Sequence, residues 1–115
     1  MIEKTILDYL NSELEYPIYA EIPKDKPERF YVLEKTGGNT TNFIDEASIA
    51  LQSYAPSMYE ASVLNEALKD KMELMIQLDT ISRVYLNSDY NFTDSATKQY
   101  RYQANYIVTY YKERN

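Results

Sequence analysis

From Ser57 to Leu78 the sequence carries one long apolar stripe at helical spacing. Ala61, Leu64, Leu68, Met72, Met75 and Ile76 form it, and Val63, Ala67, Leu74 and Leu78 broaden it. Ser57 with Glu60 three residues on is a capping box, and Pro56 just ahead of it fixes the start. Both flanks switch to a period of two. After the helix, Tyr100, Tyr102, Ala104, Tyr106, Val108 and Tyr110 alternate with Arg101, Gln103, Asn105 and Thr109. Before it, Ala47, Ile49 and Leu51 alternate with Ser48, Ala50 and Gln52. A helix with one apolar face, set between alternating strands, must lay that face on a sheet.

The remaining segments fill in the order helix, strand, strand, strand, helix, strand, strand. Ile2, Ile6, Leu10 and Leu14 recur every four residues from Met1 to Leu14, and Pro17 cannot continue that helix. Ile18, Ala20 and Ile22 predict a strand that Pro23 ends. Phe30 to Thr36 predicts the next strand, and the glycine pair Gly37-Gly38 breaks it into a polar loop up to Asn42. Phe43 to Tyr54 then returns as the second arm of a hairpin with a long, mobile tip. Ile81 to Leu86 is a short strand, and the Asn, Ser, Asp and Thr content from Asn87 to Thr97 predicts a long turn. The last four residues, 112–115, are expected to fray. The expected architecture is α+β: a two-layer domain with a mainly antiparallel sheet of about five strands and two helices on one face. That leaves the second sheet face exposed, and tyrosine, with an apolar ring and a polar hydroxyl, suits such a half-wet surface.

The chain has 115 residues, enough for one domain over its whole length. It holds no cysteine and no histidine, which excludes thiolate or imidazole zinc sites, disulfides, and Ser-His or Cys-His catalysis. Twelve Lys and Arg stand against 18 Asp and Glu, a net charge of −6. A phosphate-binding surface needs clustered positive charge, so nucleic acid is disfavoured as a main ligand. No apolar run approaches the ~20 residues that span a bilayer, and the segment MIEKTILDYL lacks the basic-then-apolar order of a secretory signal.

Few residues invite a chemical reading. Gly37-Gly38-Asn39 lacks the spacing, the lysine and the following helix of a phosphate cradle, and reads as a turn. Asp45-Glu46 and the set Asp79, Asp89, Asp94 are acidic, but no stretch alternates oxygen ligands around a glycine as calcium loops do. They read as solvated charges and turn caps. No nucleophile–base pair is visible, so neither enzymatic activity nor a cofactor is expected. The tyrosine row could stack single-stranded bases only with interleaved positive charge, so core packing plus a subunit interface is the preferred reading.

One stretch, Lys26-Pro27-Glu28-Arg29-Phe30-Tyr31-Val32-Leu33-Glu34-Lys35-Thr36-Gly37-Gly38, resembles a pattern in small tail proteins of phages with long, non-contractile tails. Ile44 to Ala55, Tyr59-Glu60-Ala61 and Lys98-Gln99-Tyr100-Arg101-Tyr102 are similar to that family's third strand, helix opening and closing strand. The family is the tail terminator, also called the head-tail joining or tail completion protein. The resemblance implies a small α/β domain that assembles as a six-fold ring on the head-proximal end of the tail tube. There it stops tube growth and presents a surface to the head connector. It implies as partners a further copy of the chain, the major tail tube protein and the head-closure or connector protein. DNA would pass through the ring as cargo without specific binding, and the protein would reside in the virion after assembly in the host cytoplasm. Arg29, Lys35, Gly37, Gly38, Asn39 and Arg101 are the candidate interface residues. Two alternatives stand beside it: another neck protein such as a head-closure component, and a small non-enzymatic adaptor that binds a protein partner.

Overall fold

The computed structural model describes residues 1–111. The expected fraying of residues 112–115 lies outside them. The chain runs α1 (Ile2–Glu13), β1 (Ile18–Tyr19), β2 (Phe30–Thr41), β3 (Ile44–Ala55), α2 (Met58–Leu74), a single 3₁₀ turn (Met75–Gln77), β4 (Ile81–Asn91) and β5 (Tyr100–Tyr111). The sheet order is β1-β2-β3-β5-β4, antiparallel except for the short β1–β2 pair. The α+β architecture with both helices on one face is therefore as the patterning implies.

The core lies between helices and sheet. Ile6 and Leu10 of α1, Ala61, Leu68 and Met72 of α2, and Leu33, Ile49, Leu51, Ala104 and Val108 of the strands are buried together. Three polar ties lock the layers. The Asn11 amide donates to the Ile18 carbonyl and accepts from the Ile18 N–H, at 3.3 and 3.2 Å, so α1 holds β1. The Tyr9 hydroxyl donates to Lys71 O at 2.7 Å across the two helices. The Tyr31 hydroxyl donates to Leu64 O at 3.1 Å, joining β2 to α2. Ser57 caps α2, its Oγ accepting from the Glu60 N–H at 3.2 Å.

Five expectations need correction. The segment from Gly37 to Asn42 is not a loop: β2 runs through both glycines to Thr41, paired with β3 down to Thr41↔Ile44. The reversal is only Asn42-Phe43, both with positive φ (51° and 69°), the backbone that makes a two-residue turn match the twist of its strands. Two strand glycines weaken propensity but cannot break a ladder that continues on either side. Likewise β4 does not stop at Leu86. It continues through the polar residues to Asn91, because β5 offers a partner along its whole length. The strand from Ile18 to Ile22 shrinks to two residues, parallel to β2. The helix expected to reach Leu78 leaves the α form at Leu74, and Ile76 projects into solvent. Finally, the tyrosine row of β5 is not on the open face. Tyr106 is 4% exposed, and Tyr100, Tyr102 and Tyr110 pack against the helix-side core.

Candidate functional site

With the tyrosine row turned inward, the helix-free face of the sheet is built from the other half of each strand. At one end Phe30 of β2 and Tyr54 of β3 stack face to face, ring centroids 4.6 Å apart and 3° from parallel. Val32 completes this second small cluster, and Tyr19 of β1 packs against it edge-on to Phe30. Arg101 of β5 sits opposite Tyr54 in register. Its guanidinium lies 4.4 Å from the Phe92 ring centroid, and its Nε donates to Phe92 O at 2.8 Å. It also donates to the Tyr54 hydroxyl and to Gln99 Oε1, each at 3.3 Å.

The middle of this face is a run of side-chain amides and hydroxyls crossing β3, β5 and β4. Tyr54 OH donates to Gln52 Oε1 at 3.0 Å, and Gln52 Nε2 donates to Gln103 Oε1 at 3.0 Å. Gln103 Nε2 in turn donates to Tyr90 OH and to Asn105 Oδ1, both at 3.0 Å. Asn105 Nδ2 reaches Ser88 Oγ at 2.9 Å. The groups follow from strand register: Gln52↔Gln103 and Tyr90↔Gln103 are direct partners, as are Ser88↔Asn105. Such a face is polar, uncharged along its centre and internally bonded. What it presents is shape and fixed hydrogen-bonding groups.

The candidate interface residues divide into two groups. Arg29 is held on the molecule itself: it bonds Glu60 at the start of α2 and approaches Glu28 at 3.4 Å. The Arg29 hydrogen bond holds the Glu60 carboxyl below the usual carboxylate range, helped by the bond from Ser57. Arg101 is likewise held within the open face. Both therefore anchor the fold locally. Lys35, Gly37, Gly38 and Asn39 lie together along the exposed part of β2, beyond the end of β1. Among the described residues Lys35 forms no ion pair.

One polar cluster had no sequence signal. Asn65, buried on α2, donates to Asp89 Oδ1 of β4 at 2.7 Å, and Lys69 bonds the other Asp89 oxygen and Glu66 at 2.9 Å. The bond to Asp89, then that to Glu66, raises the Lys69 ammonium above its ordinary value. An amine held charged in this way is a poor nucleophile or base. Its work is to pin α2 to β4. Nothing in the sequence linked residues 24 apart, because neither the length of β4 nor its bulges were legible. The acidic residues take similar structural roles: Asp94 Oδ1 accepts from the Ala96 N–H at 3.1 Å and the Thr97 N–H at 3.4 Å, and Asp45 bonds Thr40. Among the described residues no helix is long and apolar enough to cross a membrane.

No protein-family model and no curated protein matches the chain.

Proposed function

We propose that this protein is a structural component of a phage or prophage tail, which caps the head-proximal end of the tail tube as a ring. The cap stops tube growth and forms the joint with the head. The observation that carries this reading is the element order α-β-β-β-α-β-β, with both helices on one sheet face. It fits the small α/β domain that the resemblance, from Lys26 to Gly38 and in element order over nearly the whole chain, implies for a tail terminator. Three features support it. The sheet is long, with three strands of 12 residues, and among the described residues one face, the outer edge of β4 and the edge of β2 beyond β1 have no covering element. The helix-free face is rich in hydrogen-bonding groups already set in place, which lowers the entropy cost of forming a permanent contact. A net charge of −6 suits a ring through which DNA passes without sticking. In this reading the partners are further copies of the chain, the tube protein below and the connector above.

The test uses tail tubes of the phage or prophage that encodes the chain. Purified protein is mixed with growing tubes and imaged by negative stain. The expected result is density at one tube end and arrested lengthening. Tubes that keep growing with bare ends overturn the proposal.

A further inference from the structure

Among the described residues the sheet has two long unpaired edges on opposite sides. β4 is the last strand on one side, and its outer edge is open from Ile81 to Asn91. On the other side β1 covers only Tyr31 and Val32, so β2 is itself the edge from Leu33 to Thr41. Beside that stretch, between α1 and β2, is a cavity of about 510 Å³ lined by Met1, Leu7, Ala20, Leu33 and Lys35 among others. Long uncovered edges are what proteins that remain single avoid.

The glycines on the β2 edge are informative because they differ. A Cβ on Gly38 would lie 2.9 Å from Glu46 O, so the fold itself demands glycine there. A Cβ on Gly37 would meet nothing within 4 Å, and its φ is not positive. The bulge between Lys35 and Gly37 is one reason for a glycine at 37. The open space beside it also leaves room for another backbone to come close.

We propose that a second copy of the chain docks edge to edge, its β4 laid antiparallel along residues 33–41 of β2. The inference rests on the ring reading above and names its subunit contact. The strand directions agree. β2 and β4 run oppositely within one sheet, since β2–β3, β3–β5 and β5–β4 are each antiparallel. Rotation about an axis along the strands preserves direction, so β4 of one copy meets β2 of the next in antiparallel sense with the helices on the same side. Charge agrees as well. With the two edges fully overlapped, the start of the open β2 edge faces the end of β4. Lys35, without an ion pair among the described residues, then comes within diagonal reach, on the helix side, of Asp89, whose carboxylate already bonds Asn65 and Lys69. Gly37 faces the region of Tyr85, which is exposed and needs the space. Leu86, exposed on the helix side of β4, comes to the groove lined by Leu33 and Leu7. Bulges between Lys35 and Gly37 and between Leu86 and Ser88 add local twist to both edges. That twist contributes to the rotation between neighbours that turns a head-to-tail contact into a closed ring.

The chain has no cysteine, which gives a clean background for cross-linking. The purified double variant Gly37→Cys, Tyr85→Cys, treated with a short thiol-specific cross-linker, is expected to give a ladder beyond dimer that ends in one closed species. Each single variant, whose thiol faces none across a head-to-tail contact, is expected to stay monomeric. A double variant that stays monomeric, or stops at dimer, overturns the edge contact. Gly37→Val provides the second arm. It is expected to raise the unfolding midpoint and to weaken self-association by at least about tenfold in sedimentation. Association equal to the parent's overturns the proposal. Capped tubes without the cross-link dismiss this contact and leave the tail reading standing, whereas a cross-linked ring beside bare growing tubes does the reverse.

Discussion

On the helix side of the sheet, Leu51, Leu68 and Met72 are fully buried, and a polar cluster there joins Asn65 and Lys69 through the two oxygens of Asp89. On the other side, Gln52, Gln103, Asn105 and Tyr90 bond one another while keeping contact with solvent. The same five strands supply both faces, one residue out of phase. The contrast teaches that alternation encodes two separate surfaces: one that removes apolar area from water and one whose polar groups are fixed by neighbours in register. The first dominates stability; the second sets what the molecule can present.

The sharpest way to break that contrast is to truncate both kinds of position. Leu68→Ala, at 0% exposure, is expected to cost about 2–5 kcal/mol. Val63→Ala on the same helix, at 47% exposure, is expected to change stability by no more than about 0.5 kcal/mol. Urea unfolding midpoints with equal slopes check the pair, and equal costs would dissolve the distinction. Next in size is Asn65→Ala, which takes a buried donor from Asp89 and is expected to cost about 1–3 kcal/mol.

The open face is expected to respond more weakly. Gln103→Ala is expected to cost about 1 kcal/mol, and a double-mutant cycle with Gln52→Ala to show positive coupling, since the two side chains share a bond at 3.0 Å. Coupling of zero would mean that the amide run is ordered by the strands alone. The last pair of effects is in pH dependence, and they have opposite directions at the two ends. Burial pushes the Tyr106 hydroxyl up to about 12. Its folded value lies above the unfolded value of about 10, so its contribution is complete below the lower value and is lost as pH rises through the upper one. Tyr106→Phe is expected to flatten that alkaline limb. Glu60 is shifted the other way by Arg29, so its contribution is present above the ordinary carboxylate value and lost as pH falls through the lower folded one. Glu60→Gln is expected to flatten the acid limb, read from thermal unfolding across pH.

Much of the helix side was legible from spacing alone. The stripe Ala61, Leu64, Leu68, Met72, Met75 is the buried one, and the Ser57 cap holds as its spacing implies. What sequence hid lies in the polar segments. Gly37 to Thr41 and Asn87 to Asn91 carry turn-forming residues, yet each is strand because a neighbouring strand satisfies its backbone. Local composition cannot report a partner distant in sequence. The same holds for the candidate residues: Arg29 and Arg101 look like free surface charges, and only the folded chain brings Glu60 and Phe92 to them. Lys35 and Gly37 remain outward-facing, and they carry the proposed contact.

The tight Asn42-Phe43 reversal and the strand order also set a timetable for folding. Hairpin β2–β3 joins residues adjacent in sequence, as does β4–β5 across a longer connection. A two-residue turn lets the first zip from its tip on a scale of about 1–10 μs. The central seam, β3 against β5, has to wait for α2 and β4 to be placed, because pairs such as Leu51↔Ala104 close a large loop of chain. A chain with both hairpins formed and that seam open would show, on each half, the strand edge and the apolar side meant for the other. The rate at which Leu51 finds Ala104, rather than either hairpin, then governs how long newly made chains remain prone to clumping.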